Sequence, residues 1–122
     1  MKQILRMVSL AVAFWGGATS VAHAEGRLDQ IRATGQITLG FRESSIPFSY
    51  LNDEQQPIGY SMDLCSGIVE GLKKQLNLPA LKVRLVSVTS STRIPLVANG
   101  TVDLACGSAT NNEVRQKQVS FA

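Results

Sequence analysis

The chain has 122 residues, with twelve Lys and Arg against nine Asp and Glu, one histidine and two cysteines. His23 and the single tryptophan, Trp15, both fall in an N-terminal segment with the features of an export leader; beyond it ten cations face nine acids and no histidine remains. That balance offers no basic stripe for nucleic acid or an anionic membrane, and the missing imidazole excludes Ser-His-Asp, Cys-His and HExxH chemistry from the exported part.

The leader is "MKQILRMVSLAVAFWGGATSVAHA", residues 1–24. Lys2 and Arg6 precede an apolar run from Met7 to Trp15, and Ala22-His23-Ala24 supplies the small-x-small pattern of a signal-peptidase site. An uncleaved membrane anchor is the competing reading, but the run falls short of the roughly 20 residues that span a bilayer. Residues 25–122 then form the exported part, a length that suits one small domain with a limited core.

Leu28 to Ala33 reads as a short helix stopped by Gly35. Gln36 to Glu43 alternates as a strand, with Ile37, Leu39 and Phe41 on one face. "SSIPFSYLNDEQQPIGY" is a turn-rich connection. From Ser61 the period changes, and Met62, Cys65, Ile68, Val69, Leu72 and Leu76 form a helical stripe. Ser61 is its expected cap, Asp63 suits its first turn, Lys73 and Lys74 its last, and Asn77 and Pro79 end it. "LKVRLVSVT" returns to strand character, with Val83 and Leu85 facing away from Lys82 and Arg84. "RIPLVANG" is a short helix closed by Gly100, "TVDLACG" a strand, and "NNEVRQKQ" a helix opening on asparagine. "VSFA", at the end, reads as the opening of another strand, which points to a longer protein. Alternating strands and helices predict an α/β fold, a mostly parallel sheet with helices on both faces.

Ligands in such sheets bind beyond the carboxyl ends of the strands, where loops enter helix N-termini. Three segments bring polar side chains there. The first is Arg42 to Ser45, the second "TSSTR" from Thr89 to Arg93, and the third "GSATNN" from Gly107 to Asn112. Arg93 has no other charge between Arg84 and Asp103. Free backbone N–H groups and a planar guanidinium fork together suit a carboxylate. The spacing leaves plainer readings open: Arg93 as a solvated first-turn residue capped by Ser90 or Thr92, "GSAT" as a turn, and Arg42 as a strand-end charge. Cys65 and Cys106, an even pair in an exported chain, read as a disulfide, with two buried free thiols as the alternative.

"GFRESSIPFSY", "GYSMDLC", "VTSSTRIPLVANGTVDLACGSATNN" and "VRQKQVSF" together resemble the periplasmic glutamate/aspartate-binding proteins of amino-acid ABC transporters, within the family 3 solute-binding proteins. The resemblance runs from about Leu28 to the last residue. It implies a two-lobed periplasmic receptor, monomeric when full length and without a cofactor, that closes on one amino acid and presents it to an inner-membrane permease. Arg93 matches the arginine that pairs with the ligand α-carboxylate. Ser108 and Thr110 match residues that bond the ligand through side chain and backbone, and Ser90 matches a supporting hydroxyl. Arg42 matches the cation that meets the side-chain carboxylate of an acidic ligand. Because family members are two to three times longer, residues 25–122 are expected to be the N-terminal portion of the first lobe, short of the crossover into the second. Two other readings belong to the same fold: a dehydratase or peptidoglycan lyase, whose general acid would come from Glu43, Asp103 or the part of the protein beyond this sequence, and an extracytoplasmic sensor domain.

Overall fold

The computed structural model describes residues 26–122. The leader expected over residues 1–24 lies outside the described residues. Helix α1 (Arg27–Thr34) ends on Gly35, whose left-handed φ of 65° lets its N–H reach back to the Ile31 carbonyl. Strand β1 (Gln36–Phe41) follows and becomes the centre of the main sheet. Its Ile37 and Leu39 join Met62, Cys65, Val69, Leu76, Leu81 and Cys106 in the core.

The turn-rich connection carries structure that its composition did not announce. Strands β2 (Ser44–Ser45), β3 (Ser49–Leu51) and β4 (Pro57–Ile58) pair antiparallel as a second sheet. These strands are two or three residues long, too short to show a period of two. A long helix, α2 (Tyr60–Gln75), returns across the main sheet. Gly59, not Ser61, stands at its N-cap position, with φ 125° and no room for a side chain against the Phe48 carbonyl. Along α2 the expected stripe is correct at Met62, Cys65, Val69 and Leu76, whereas Ile68 turns outward at 42% exposure.

Strand β5 (Lys82–Ser87) pairs parallel with β1 along its whole length, Gln36 opposite Lys82 through Phe41 opposite Ser87. It is an edge strand: Val83 and Leu85 share a face with Leu39, Met62 and Val69, apart from Lys82 and Arg84 as expected, but border an open cleft and stay 44% and 45% exposed. Helix α3 (Arg93–Ala98) leads through Gly100 to β6 (Leu104–Cys106), which pairs parallel with the other side of β1. The sheet order is therefore β5–β1–β6, flanked by helices. Gly40 sits where a Cβ would lie 3.0 Å from Val102 Cγ1 and 3.1 Å from Val88 Cγ1, so a side chain there would push those two valines aside. A last short helix, α4 (Glu113–Gln116), is capped by Asn112, whose Oδ1 accepts from the Arg115 N–H at 3.0 Å. Residues 119–122 form no strand.

Cys65 and Cys106 are joined as a disulfide, with Cα atoms 6.2 Å apart. The bond ties the first half of α2 to the last residue of β6.

Candidate functional site

The parallel register sets the site. Phe41 lies opposite both Ser87 and Cys106, so β1, β5 and β6 end level and release their following loops on one edge. Residues 42–45, 88–93 and 107–112 meet there. Helix α3 begins directly at Arg93, and the turn before it is held by its own hydroxyls. Thr92 Oγ1 accepts from the Thr89 N–H at 2.9 Å, and Thr89 Oγ1 accepts from the Thr92 N–H at 3.2 Å.

Arg93 is buried, at 8% exposure, which removes the solvated first-turn reading. Its Nη1 donates to the Ser108 carbonyl at 2.5 Å. Its Nε is buried without a hydrogen-bond partner. Burial, then the charges of Arg115 and Arg42, push this guanidinium below its ordinary range. Among the described residues the ion pairs are Arg27–Asp103 and Lys73–Glu70, and neither involves Arg42, Arg93 or Arg115. Three arginines thus share one strand-end edge without a carboxylate against any of them. A buried cation in that position is costly unless an anion joins it.

The other predicted residues gather around this charge to different degrees. Ser108 Oγ lies 2.8 Å from Ser45 Oγ, linking the loop after β6 to the segment after β1. Arg42 and Arg93 together line a narrow gap of about 10 Å³ with Gly40, Val88, Gly107 and Ala109. Arg93, Gly107 and Ala109 also border a wider cleft of about 300 Å³ between α2 and α3. Thr110 is exposed beyond Ser108, and its carbonyl accepts from Arg115 Nη1 at 2.8 Å. Ser90 lies exposed in the hydroxyl turn and makes no hydrogen bond among the described residues. A larger cleft of about 600 Å³ lies elsewhere, lined by Arg27, Gln116 and residues 117–122, and holds none of the five predicted site residues.

Three contributors were not singled out from the sequence. Ser49 is fully buried and holds the Arg42 backbone from both sides, its Oγ accepting from the Arg42 N–H at 2.9 Å and donating to the Arg42 carbonyl at 3.2 Å. Ser61, expected as a helix cap, instead donates from Oγ to the Gly107 carbonyl at 3.3 Å. Arg115 left no legible trace: it stands in the last turn of α4, where a cation is ordinary. The two carboxylates considered as general acids are engaged otherwise. Glu43 Oε1 accepts from Ser87 Oγ at 2.7 Å, and Asp103 accepts from the Thr38 N–H at 2.7 Å while pairing with Arg27 at 3.3 Å.

The profile of the bacterial extracellular solute-binding proteins, family 3, matches residues 37–122, a span holding all of these loops. The chain belongs to this family. Among characterised solute-binding proteins, the L-glutamate/L-aspartate-binding protein of Pseudomonas aeruginosa is 65% identical over 98 residues, covering 80% of this chain and 32% of that protein. The glutamate/aspartate import solute-binding protein of Escherichia coli is 50% identical over 117 residues, covering 93% of this chain and 39% of that one. A solved ancestral cationic amino-acid solute-binding protein superposes with a TM-score of 0.68 at 27% identity, over 80% of this chain and 39% of that chain. The chain thus spans about a third to two fifths of the length of these two curated relatives.

Proposed function

We propose that this chain carries the first-lobe half of the ligand site of a periplasmic receptor. The receptor takes up an acidic amino acid, glutamate or aspartate, with glutamine and asparagine as further candidates, and hands its ligand to an ABC-transporter permease in the inner membrane. In this reading residues 1–24 are a cleaved leader and residues 25–122 the N-terminal portion of the first lobe of a monomeric protein. The observation that carries it is Arg93: a buried guanidinium with an unpartnered Nε and no carboxylate against it. A ligand α-carboxylate supplies the missing charge and the missing acceptor in one group. Arg42, more exposed on the far side of the same gap, is the partner for the second carboxylate. The Ser108 and Thr110 side chains and their loop's backbone complete the polar contacts, with Ser90 in support. The names of the relatives point to the same ligand class.

The deciding experiment is calorimetric titration of the intact protein with glutamate, beside its Arg93→Ala variant. A charge-assisted contact is worth about 1.5–3 kcal/mol, so the variant should bind at least ten- to a hundredfold more weakly, and below detection where the carboxylate is left buried. Unchanged affinity would remove Arg93 from the site. Conversion of the amino acid during the titration, instead of saturable binding, would favour an enzyme on the same fold.

A further inference from the structure

The loop from Ser108 to Asn112 donates no backbone–backbone hydrogen bond among the described residues, so its shape depends on side chains that reach it. Four such bonds are present. Arg93 takes the Ser108 carbonyl, Ser45 meets the Ser108 hydroxyl, Arg115 takes the Thr110 carbonyl, and Gln116 Nε2 donates to Asn111 Oδ1 at 2.7 Å. Two of the four come from α4, and of these only Arg115 grips the backbone. Its charge is unfavourable where it stands, because it acts against that of Arg93. No ion pair among the described residues compensates it. What it gains is the 2.8 Å charge-assisted bond to Thr110 O, folded back across five residues from its own Cα.

We propose that Arg115 is a positioning residue of the amino-acid site: by holding the Thr110 carbonyl it fixes the Thr110–Asn111 peptide plane, and so the ligand-facing groups of that loop. This rests on the functional reading above. A peptide unit is planar, so clamping its oxygen on the Arg115 side sends the Asn111 N–H to the opposite side and removes the one soft rotation that would turn it back. Arg115 itself need not touch the ligand. Its contribution is therefore the same for an acidic ligand and its neutral amide, which separates it from Arg42.

The test uses the intact protein with Arg115→Met, Arg115→Gln and Arg115→Lys, titrated with glutamate and with glutamine. It adds the thermal midpoint without ligand and the amide resonance of Asn111. Arg115→Met should raise the Kd for both amino acids by a similar factor, about ten- to a hundredfold, displace or broaden the Asn111 signal, and leave the ligand-free midpoint within a few degrees of wild type. Arg115→Lys, which keeps a cationic donor, should recover most of the affinity, with Arg115→Gln between the two. Arg115→Met binding within about threefold of wild type would overturn the proposal. So would a loss confined to glutamate, which would make Arg115 a direct partner of the side-chain carboxylate, or a collapsed ligand-free midpoint, which would make it a determinant of the fold. If the wild-type protein bound neither amino acid, the functional reading would fall. The Asn111 resonance in the ligand-free variants would then decide the clamp by itself.

Discussion

Arg42 and Arg93 share a gap but are held differently. The guanidinium of Arg93 is committed to one carbonyl and enclosed, whereas Arg42 is fixed through its backbone by Ser49 and its side chain makes no hydrogen bond among the described residues. The Arg42 stem runs over Gly107, where an added Cβ would come within 3.0 Å of its Cγ, so a bare glycine there leaves the arginine its path. A cation with a fixed base and a free head suits the more variable end of a ligand. Arg42→Ala should therefore raise the Kd for glutamate and aspartate about tenfold or more, while glutamine changes by no more than about threefold. Parallel titrations of the three amino acids decide it, and equal losses would sink the assignment of Arg42 to the side-chain carboxylate.

Between elements, the loop after β6 is pinned at its root by α2. The disulfide holds Cys106 to the helix, and Ser61 in the first turn of α2 bonds the next carbonyl along, that of Gly107. The bridge closes a sequence separation of 41, for which chain entropy gives about 4 kcal/mol, commonly somewhat less in practice. Replacing both cysteines by alanine should lower the free energy of unfolding by about 2–4 kcal/mol in a denaturant titration. A loss below about 0.5 kcal/mol would show that the bridge adds nothing to the packing already there. How much of this was legible follows the physics of each element. The α2 stripe is long enough for its period to be read, and it failed only at Ile68, since burial depends on what lies opposite. The strands β2 to β4 are too short to show any period, and β5 alternates without burying either face because it stands at an edge, which no local pattern records. At the site, Arg93 was legible as an isolated cation at a helix start. Ser49 was not: a serine between two aromatics carries no sign that its hydroxyl will bond the backbone seven residues earlier.

Across the whole molecule, the cost of gathering Arg42, Arg93 and Arg115 on one edge falls on the ligand-free state. A guanidinium pushed below its ordinary range is a base whose charged form is less stable folded than unfolded. That penalty is fully present below its folded pKa and is relieved only as the pH rises through it, and an arginine stays protonated across the neutral range. Between about pH 5 and 8 the penalty is therefore constant, and what changes with pH is the ligand. Its side-chain carboxylate is charged above about pH 4 and loses that charge below it, together with its attraction for Arg42, whereas the more acidic α-carboxylate stays charged to lower pH. Glutamate at a hundredfold excess over its Kd should stabilise the intact protein by about 2.7 kcal/mol. That gain should stay level from pH 8 to 5 and decline below about pH 4. Thermal midpoints with and without glutamate across this range measure it directly. A gain that persisted undiminished at pH 3 would mean that the side-chain carboxylate is not what Arg42 holds. A gain that fell away already between pH 8 and 6 would place a titrating group of the protein in the site, in a chain whose described residues contain no histidine.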